Sequence, residues 1–150
     1  MKQVFLFLFL AFTISSCYKK KEATPNLCAE PNLSTGTCIS DSNQIKTLIL
    51  GKWNWTQSIS SWTMQKTNPC TDTINRSYEF LNNGQVKYSE NGNYKSTGTY
   101  HFTSGSGFTI EAHDASSNFW LSGWISICNS YLIIDDSPVD GPKDTFVKEN

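Results

Sequence analysis

From Gly51 onward, apolar and polar residues alternate with period two in one short segment after another, and clusters rich in Asn, Asp and Gly separate the segments. A strand points successive side chains to opposite faces, so this pattern calls for half-buried β-strands. In the first segment Trp53, Trp55 and Ile59 share one face, and Lys52, Asn54, Thr56 and Ser58 the other. Tyr78 and Phe80 then oppose Ser77 and Glu79, and past Asn82-Asn83-Gly84, Val86 and Tyr88 oppose Gln85, Lys87 and Ser89. Past Asn91-Gly92-Asn93, Tyr100 and Phe102 oppose Thr99, His101 and Thr103; past the Ser/Gly run 104–107, Phe108 and Ile110 oppose Thr109 and Glu111. The segments "NFWLSGWISIC", "SYLIID" and "DTFVK" bring the total to about eight strands. Asn-Gly and Asp-Gly turns join neighbouring strands as hairpins, and closing the resulting meander removes the exposed sheet edges. The expected fold is all-β, an antiparallel up-and-down barrel of about eight strands with one short N-terminal helix. That helix is read from Ile45, Leu48 and Ile49 in "DSNQIKTLIL", with Asp41 or Ser42 as N-cap and Gly51 as its end.

The N-terminus carries a different signal. Lys2 precedes an apolar run, Val4 to Phe12, which is too short for a membrane span, and Ile14-Ser15-Ser16-Cys17 follows. This stretch resembles the lipobox of bacterial lipoproteins. The resemblance implies a signal peptide over 1–16, removed before a Cys17 that carries acyl chains; the alternative is an ordinary secretory signal. Several acyl chains make a lasting anchor where one is marginal. "YKKKEATPN" reads as a polar spacer whose lysines either touch anionic head groups or serve solubility. Tyr18, in place of an aspartate after the lipidated cysteine, points by analogy with lipoprotein sorting to the outer membrane. The expected organisation is therefore a signal peptide (1–16), a lipidated flexible tether with a small disulfide loop (17–41) and a barrel domain (42–150). The expected location is the cell envelope, anchored by lipid to the outer membrane and facing the periplasm or the cell surface.

Without Cys17, four cysteines remain: Cys28, Cys38, Cys70 and Cys128. Export implies an oxidising compartment, so an even number reads as two disulfides with three possible connectivities. The short loop around "AEPNLSTGT" favours Cys28–Cys38, leaving Cys70–Cys128 to staple the main domain. A zinc site is the alternative, but no C-x-x-C spacing occurs and neither histidine is near a cysteine in sequence. A net charge of −1 and a single arginine, Arg76, argue against nucleic acid and phosphate as partners.

Four stretches in order, Leu48-Ile49-Leu50-Gly51-Lys52-Trp53, Phe80-Leu81-Asn82-Asn83-Gly84, Gly98-Thr99-Tyr100 and Leu132-Ile133-Ile134-Asp135, resemble the lipocalin-like lipoproteins of Gram-negative bacteria. Gly51-Lys52-Trp53 is similar to the lipocalin G-x-W signature, in which the tryptophan plugs the closed end of the barrel. The resemblance implies a lipocalin-like barrel over 42–148. Lipocalins also carry an arginine that packs on this tryptophan near the last strand; here no arginine lies there, and the 42–50 helix is expected to cover Trp53. That departure argues against a deep calyx.

An eight-stranded barrel fills with its own side chains or holds one small ligand. The inward aromatics favour a packed core, but Gln57 interrupts the first strand's inward row and several tyrosine hydroxyls need partners. The candidate ligand-binding interior is Trp55, Gln57, Tyr78, Tyr88, Tyr100 and Phe102. On "NFWLSGWISIC", Phe119, Leu121, Ile125 and Ile127 form the inward face, which leaves Trp120 and Trp124 as an outward aromatic platform unless a bulge at Gly123 swaps the faces. Enzymatic activity is not expected: His113 and Glu111 share an outward side, but no nucleophile or oxyanion device accompanies them. The acids Asp135, Asp136, Asp140 and Asp144 read as a solvated Pro/Gly hairpin, not a metal site, and no cofactor is expected. The expected function is a lipid-anchored envelope lipoprotein whose barrel binds a small hydrophobic or amphipathic ligand. The alternative is a structural or protein- and glycan-interaction module with a filled barrel. Its partners would be the membrane through Cys17 and a small hydrophobic ligand or glycan, with no nucleic acid; the oligomeric state is not legible.

Overall fold

The structure is a computed structural model and describes residues 26–33, 36–105 and 107–149. The expected signal peptide, Cys17 and the lysine-rich spacer lie outside the described residues. A short strand β1 (Cys38–Ile39) and helix α1 (Ser42–Leu48) precede the barrel. Its eight strands are β2 (Gly51–Ile59), β4 (Arg76–Phe80), β5 (Gln85–Glu90), β6 (Asn93–Ser104), β7 (Phe108–His113), β8 (Phe119–Cys128), β9 (Tyr131–Asp135) and β10 (Lys143–Lys148). Each pairs antiparallel with its chain neighbour, and β10 returns to pair with β2, so the up-and-down sheet closes on itself as expected. A strand β3 (Lys66–Thr67) hairpins onto the end of β2, and a one-turn helix α2 (Pro69–Asp72) leads into β4.

The meander gives the barrel two unlike ends. The α1–β2 junction and the turns at 81–84, 105–107 and 129–130 lie at one end. The 60–75 connection, the 91–92 turn and the loops 114–118 and 136–142 lie at the other. The first end is plugged. Asp41 caps α1 through its side chain, Ile45 and Ile49 are fully buried, and the Trp53 indole donates to the Ile49 carbonyl at 2.6 Å. Gly51 takes φ +107°, a conformation that side chains disfavour, and so turns the chain from helix into strand. Lys148, near the end of the last strand, places Nζ 5.1 Å from the Trp53 ring and donates to the Leu48 carbonyl at 2.8 Å. A cation–π contact contributes about 0.5–1 kcal/mol at an accessible site. Truncating a buried tryptophan costs about 3–5 kcal/mol. Burial therefore holds the plug, and Lys148 orients it while satisfying a helix-terminal carbonyl.

The disulfides differ from the expected pairing. They join Cys28 to Cys70 and Cys38 to Cys128, so no small loop closes on itself in the N-terminal segment. One end of that segment is pinned to α2 beside β2, and the other, through β1, to β8. Local spacing could not show this, because the closeness of Cys38 to Cys128 arises only when β1 pairs with a strand 90 residues later. Between the two pins an outward-facing row crosses the sheet from Gln57 through Thr145 and Ile133 to Ser126. Its first three members are nonetheless buried.

Peptide mapping without reductant should recover Cys28 linked to Cys70 and Cys38 linked to Cys128; a Cys28–Cys38 peptide would overturn the arrangement. Replacing Cys38 and Cys128 together by serine should lower unfolding stability by about 2–5 kcal/mol in a urea titration.

Candidate functional site

Most of the aromatics expected inside are inside. Trp53, Trp55, Tyr78 and Phe80 are buried, while Tyr88, Tyr100, Phe102 and Phe108 are partly buried against them. The rings pack on one another: Tyr78 stacks on Tyr88 with centroids 5.1 Å apart, and Phe146 meets Tyr78 edge-on at 5.7 Å. Towards the plugged end Tyr100 lies between Phe80 (5.1 Å) and Phe102 (5.6 Å), and Phe102 stacks on Phe108 at 5.0 Å. These distances lie in the range where aromatic pairs attract beyond simple burial. The Tyr100 hydroxyl donates to the Leu81 carbonyl at 2.8 Å.

Two bulges change the expected faces. In the β2–β10 ladder Phe146 pairs with Trp55 and Thr145 with Gln57, which leaves Thr56 as an extra residue in β2. Beyond that point the alternation inverts. Gln57 stands on the outer face and does not line the interior; Ile59 likewise turns out, and Ser58 and Asp144, paired with each other, turn in. The Thr56 hydroxyl donates to the Thr145 carbonyl at 2.9 Å and closes the bulge. In the β7–β8 ladder the partner shifts from Leu121 to Phe119, so Trp120 is the extra residue. Its ring turns towards the interior and lies 5.5 Å from the Tyr88 centroid. Trp120 is therefore not part of an outward platform. Trp124, paired with Thr109, does face outward and is 47% exposed. Leu121, Ile125 and Ile127 face inward; the side chain of Phe119 lies outside the described residues.

A polar cluster lies inside the end opposite the plug, termed the open end because α1 and Trp53 lie at the other. The first bulge turns Ser58 into it, and regular alternation in β10 and β4 points Asp144 and Arg76 there. The Trp55 indole donates to Ser58 Oγ at 2.9 Å, and the Ser58 hydroxyl donates to the Asp144 carboxylate. Arg76 and Glu90 pair across β4 and β5 on the face that carries Tyr78 and Tyr88. The Arg76 guanidinium lies 4.9 Å from the centre of the Trp55 ring, with Asp72 at 3.6 Å. The Tyr88 hydroxyl donates to Glu90. Burial holds the Asp144 carboxyl above its ordinary range, against the opposing pull of Ser58 and Arg76. Burial and the Glu90 carboxylate push the Tyr88 hydroxyl up to about 12, and the same hydrogen bond lowers Glu90. Burial also raises Tyr78. Both buried side-chain oxygens without a hydrogen-bond partner among the described residues, Ser61 Oγ and Asn75 Oδ1, belong to the 60–75 connection at this end. The acids of "DDSPVDGPKD" are thus not uniformly solvated, since Asp144 points into the barrel.

On the wall, two grooves flank the Trp124 indole. One, of about 380 Å³, runs past Phe108, Ser126, Ile133, Asp135 and Lys143; the other, of about 270 Å³, runs past Glu111, Ser122 and Asp136. Lys143 lies 3.2 Å from Asp135 and Ser137 donates to it, which offsets the burial of this carboxyl and leaves it below its usual range. His101 and Glu111 form a cross-strand pair at 3.2 Å on the outer face, and His113 follows on the same face.

A raised carboxyl pKa means that the folded protein binds a proton more readily than the unfolded chain. Asp144 therefore costs stability as pH rises from the ordinary aspartate value of 3.8 through its own higher value, and the full cost is present above that. Comparing unfolding free energies of the wild type and Asp144→Asn from pH 3 to 7 should show the variant gaining relative to the wild type across that window. A constant difference would mean that Asp144 titrates normally. At the second bulge, a Cβ on Gly98 would lie 2.1 Å from the His113 carbonyl oxygen and 2.9 Å from the Trp120 ring. Gly98→Ala should accordingly destabilise by about 1–3 kcal/mol or more, read from its chemical melt. No protein-family model, curated protein or solved structure matches the chain.

Proposed function

We propose that this is a lipid-anchored protein of the cell envelope, of lipocalin-like build, whose barrel takes a small amphipathic ligand through its open end. The observation that carries the reading is the polar cluster of Asp144, Ser58, Arg76 and Glu90 at the mouth of an otherwise aromatic interior, with Asp144 buried and Arg76 and Glu90 partly exposed. Burying a carboxyl such as Asp144 costs free energy, and an apolar side chain of similar size would fill the space without that cost. A cluster of this kind, walled by Tyr78, Tyr88 and Trp120, suits a molecule with an apolar body and a polar head. The Ser61 and Asn75 oxygens, buried without a hydrogen-bond partner among the described residues, lie in the 60–75 connection at the same end. The signal-like residues 1–16 and Cys17 support export and anchoring, and two disulfides fit an oxidising compartment. The reading assigns no catalytic role to the cluster.

Trp124 favours a second reading, an interaction module with a filled barrel. An exposed indole with a groove on either side, each carrying carboxylate and hydroxyl groups, suits the apolar face and hydroxyls of a sugar ring.

A thermal-shift panel of fatty acids, lysophospholipids, haem and neutral oligosaccharides separates the two. A ligand at one hundred times its Kd adds about 2.7 kcal/mol, which is several degrees for a domain of this size. The expected result is a shift with an amphiphile that Tyr88→Ala or Arg76→Ala abolishes and Trp124→Ala leaves intact. A shift confined to oligosaccharides and lost in Trp124→Ala supports the second reading, and no shift with any amphiphile overturns the first.

A further inference from the structure

The exposed apolar side chains are unevenly distributed. Among the described residues six large ones are exposed, and four of these, Trp62, Met64, Tyr94 and Val139, belong to the open end. Leu48 alone is at the plugged end, at 38%, and Trp124 is on the wall. Trp62, Met64 and Val139 are each at least 70% exposed, which is far beyond what packing within the domain leaves. The Trp62 indole donates to the Asp140 carbonyl at 3.2 Å, so the two loops that carry Trp62, Met64 and Val139 touch, and Val139 also borders the groove beside Trp124. Single exposed apolar residues are ordinary, but a gathered set marks a surface that something covers.

The route of the chain says what that is. Cys28 is bonded to Cys70, and Glu30 pairs with Lys66 at 2.7 Å, so the first described residues are fixed beside the 60–75 connection, at the same end as the rim. Eight residues, 18–25, separate the start of the described chain from the cysteine that would carry the lipid. Fully extended, they reach roughly 30 Å at about 3.6 Å each. A lipid on Cys17 is therefore tethered from the open-end side of the domain, the end it reaches with the least extension of the chain. Around the opening Lys66 offsets Glu30, Lys95 offsets Glu90 and Arg76 offsets Asp72, which leaves the acids Asp114, Asp136 and Asp140, so apolar contact and not charge attraction would make the attachment. Tryptophan in particular favours the interface between head groups and acyl chains.

We infer that the rim formed by Trp62, Met64 and Val139 docks on the surface of the lipid bilayer, so that the barrel opens towards the membrane and its ligand is an amphiphile drawn from the lipid phase. The inference rests on Cys17 as the anchor and on the open end as the binding site. The test uses the mature protein reconstituted into phosphatidylcholine vesicles that carry brominated acyl chains, with tryptophan emission as the readout and intact mass to report acylation. The expected result is quenching of the wild type that Trp62→Tyr removes and Trp124→Phe leaves unchanged. An acylated protein whose emission is not quenched, or whose quenching follows Trp124, overturns the docking and leaves the anchor standing. An unacylated Cys17 overturns the anchor reading, and the docking with it. A docked rim together with a failed amphiphile panel would leave the surface contact and remove the ligand.

Discussion

The return of β10 onto β2 is the pairing on which everything else depends. Once Lys148 pairs with Trp53 and Lys143 with Ile59, the sheet has no free edge along those strands, and every side chain on one face is committed to a single enclosed interior. Eight strands make that interior just wide enough to fill with side chains. Rings fill it efficiently, which explains why so many inward positions are aromatic and why the rings meet at 5.0 to 5.7 Å. Closure also fixes what the ends can be. With all hairpins sorted by the meander to one end or the other, α1 and the Trp53 plug can seal only one of them.

The eight barrel strands were legible because alternation is a local property, repeated in each segment and punctuated by Asn, Asp and Gly. Helix α1 was legible from three apolar positions and Asp41. The bulges were not. One extra residue leaves composition and turn signals untouched but inverts the faces that follow, so Ser58 and Ile59 exchange sides and Trp120 leaves the outer surface. A hint lay in the first strand, where Gln57 interrupts an apolar row. It marked the change of face, not a polar lining. At Trp120 the only nearby sign was a glycine, Gly123, which takes φ +139° but keeps the expected alternation. The disulfide pairing was hidden for a different reason, since it depends on which distant strands meet.

The same bulge that misleads the sequence reading adds to the most polar place in the interior. Without the extra residue at Thr56, Ser58 would face solvent and Ile59 would face inward. With it, a hydroxyl joins the Asp144 carboxylate and the chain's only arginine, which the regular alternation of β10 and β4 already points inward beside Trp55 and Tyr88. Bulges are common where a strand must re-aim a side chain. Here the re-aimed Ser58 answers the Asp144 carboxylate, whose desolvation an all-apolar end of the same shape would avoid.

The contrast between the two ends carries this further. At the plugged end each polar group described is answered within the domain: the Trp53 indole by Ile49, Lys148 by the helix carbonyl, Lys52 by Glu149 at 2.8 Å. At the open end the polar groups lie partly inside, two buried oxygens lack partners, and the rim presents apolar side chains to the surroundings. Water satisfies the first two conditions but not the third, and an apolar partner satisfies only the third. An amphipathic molecule at a lipid surface would satisfy all three, and for that reason the proposed ligand and the proposed anchor belong to one reading.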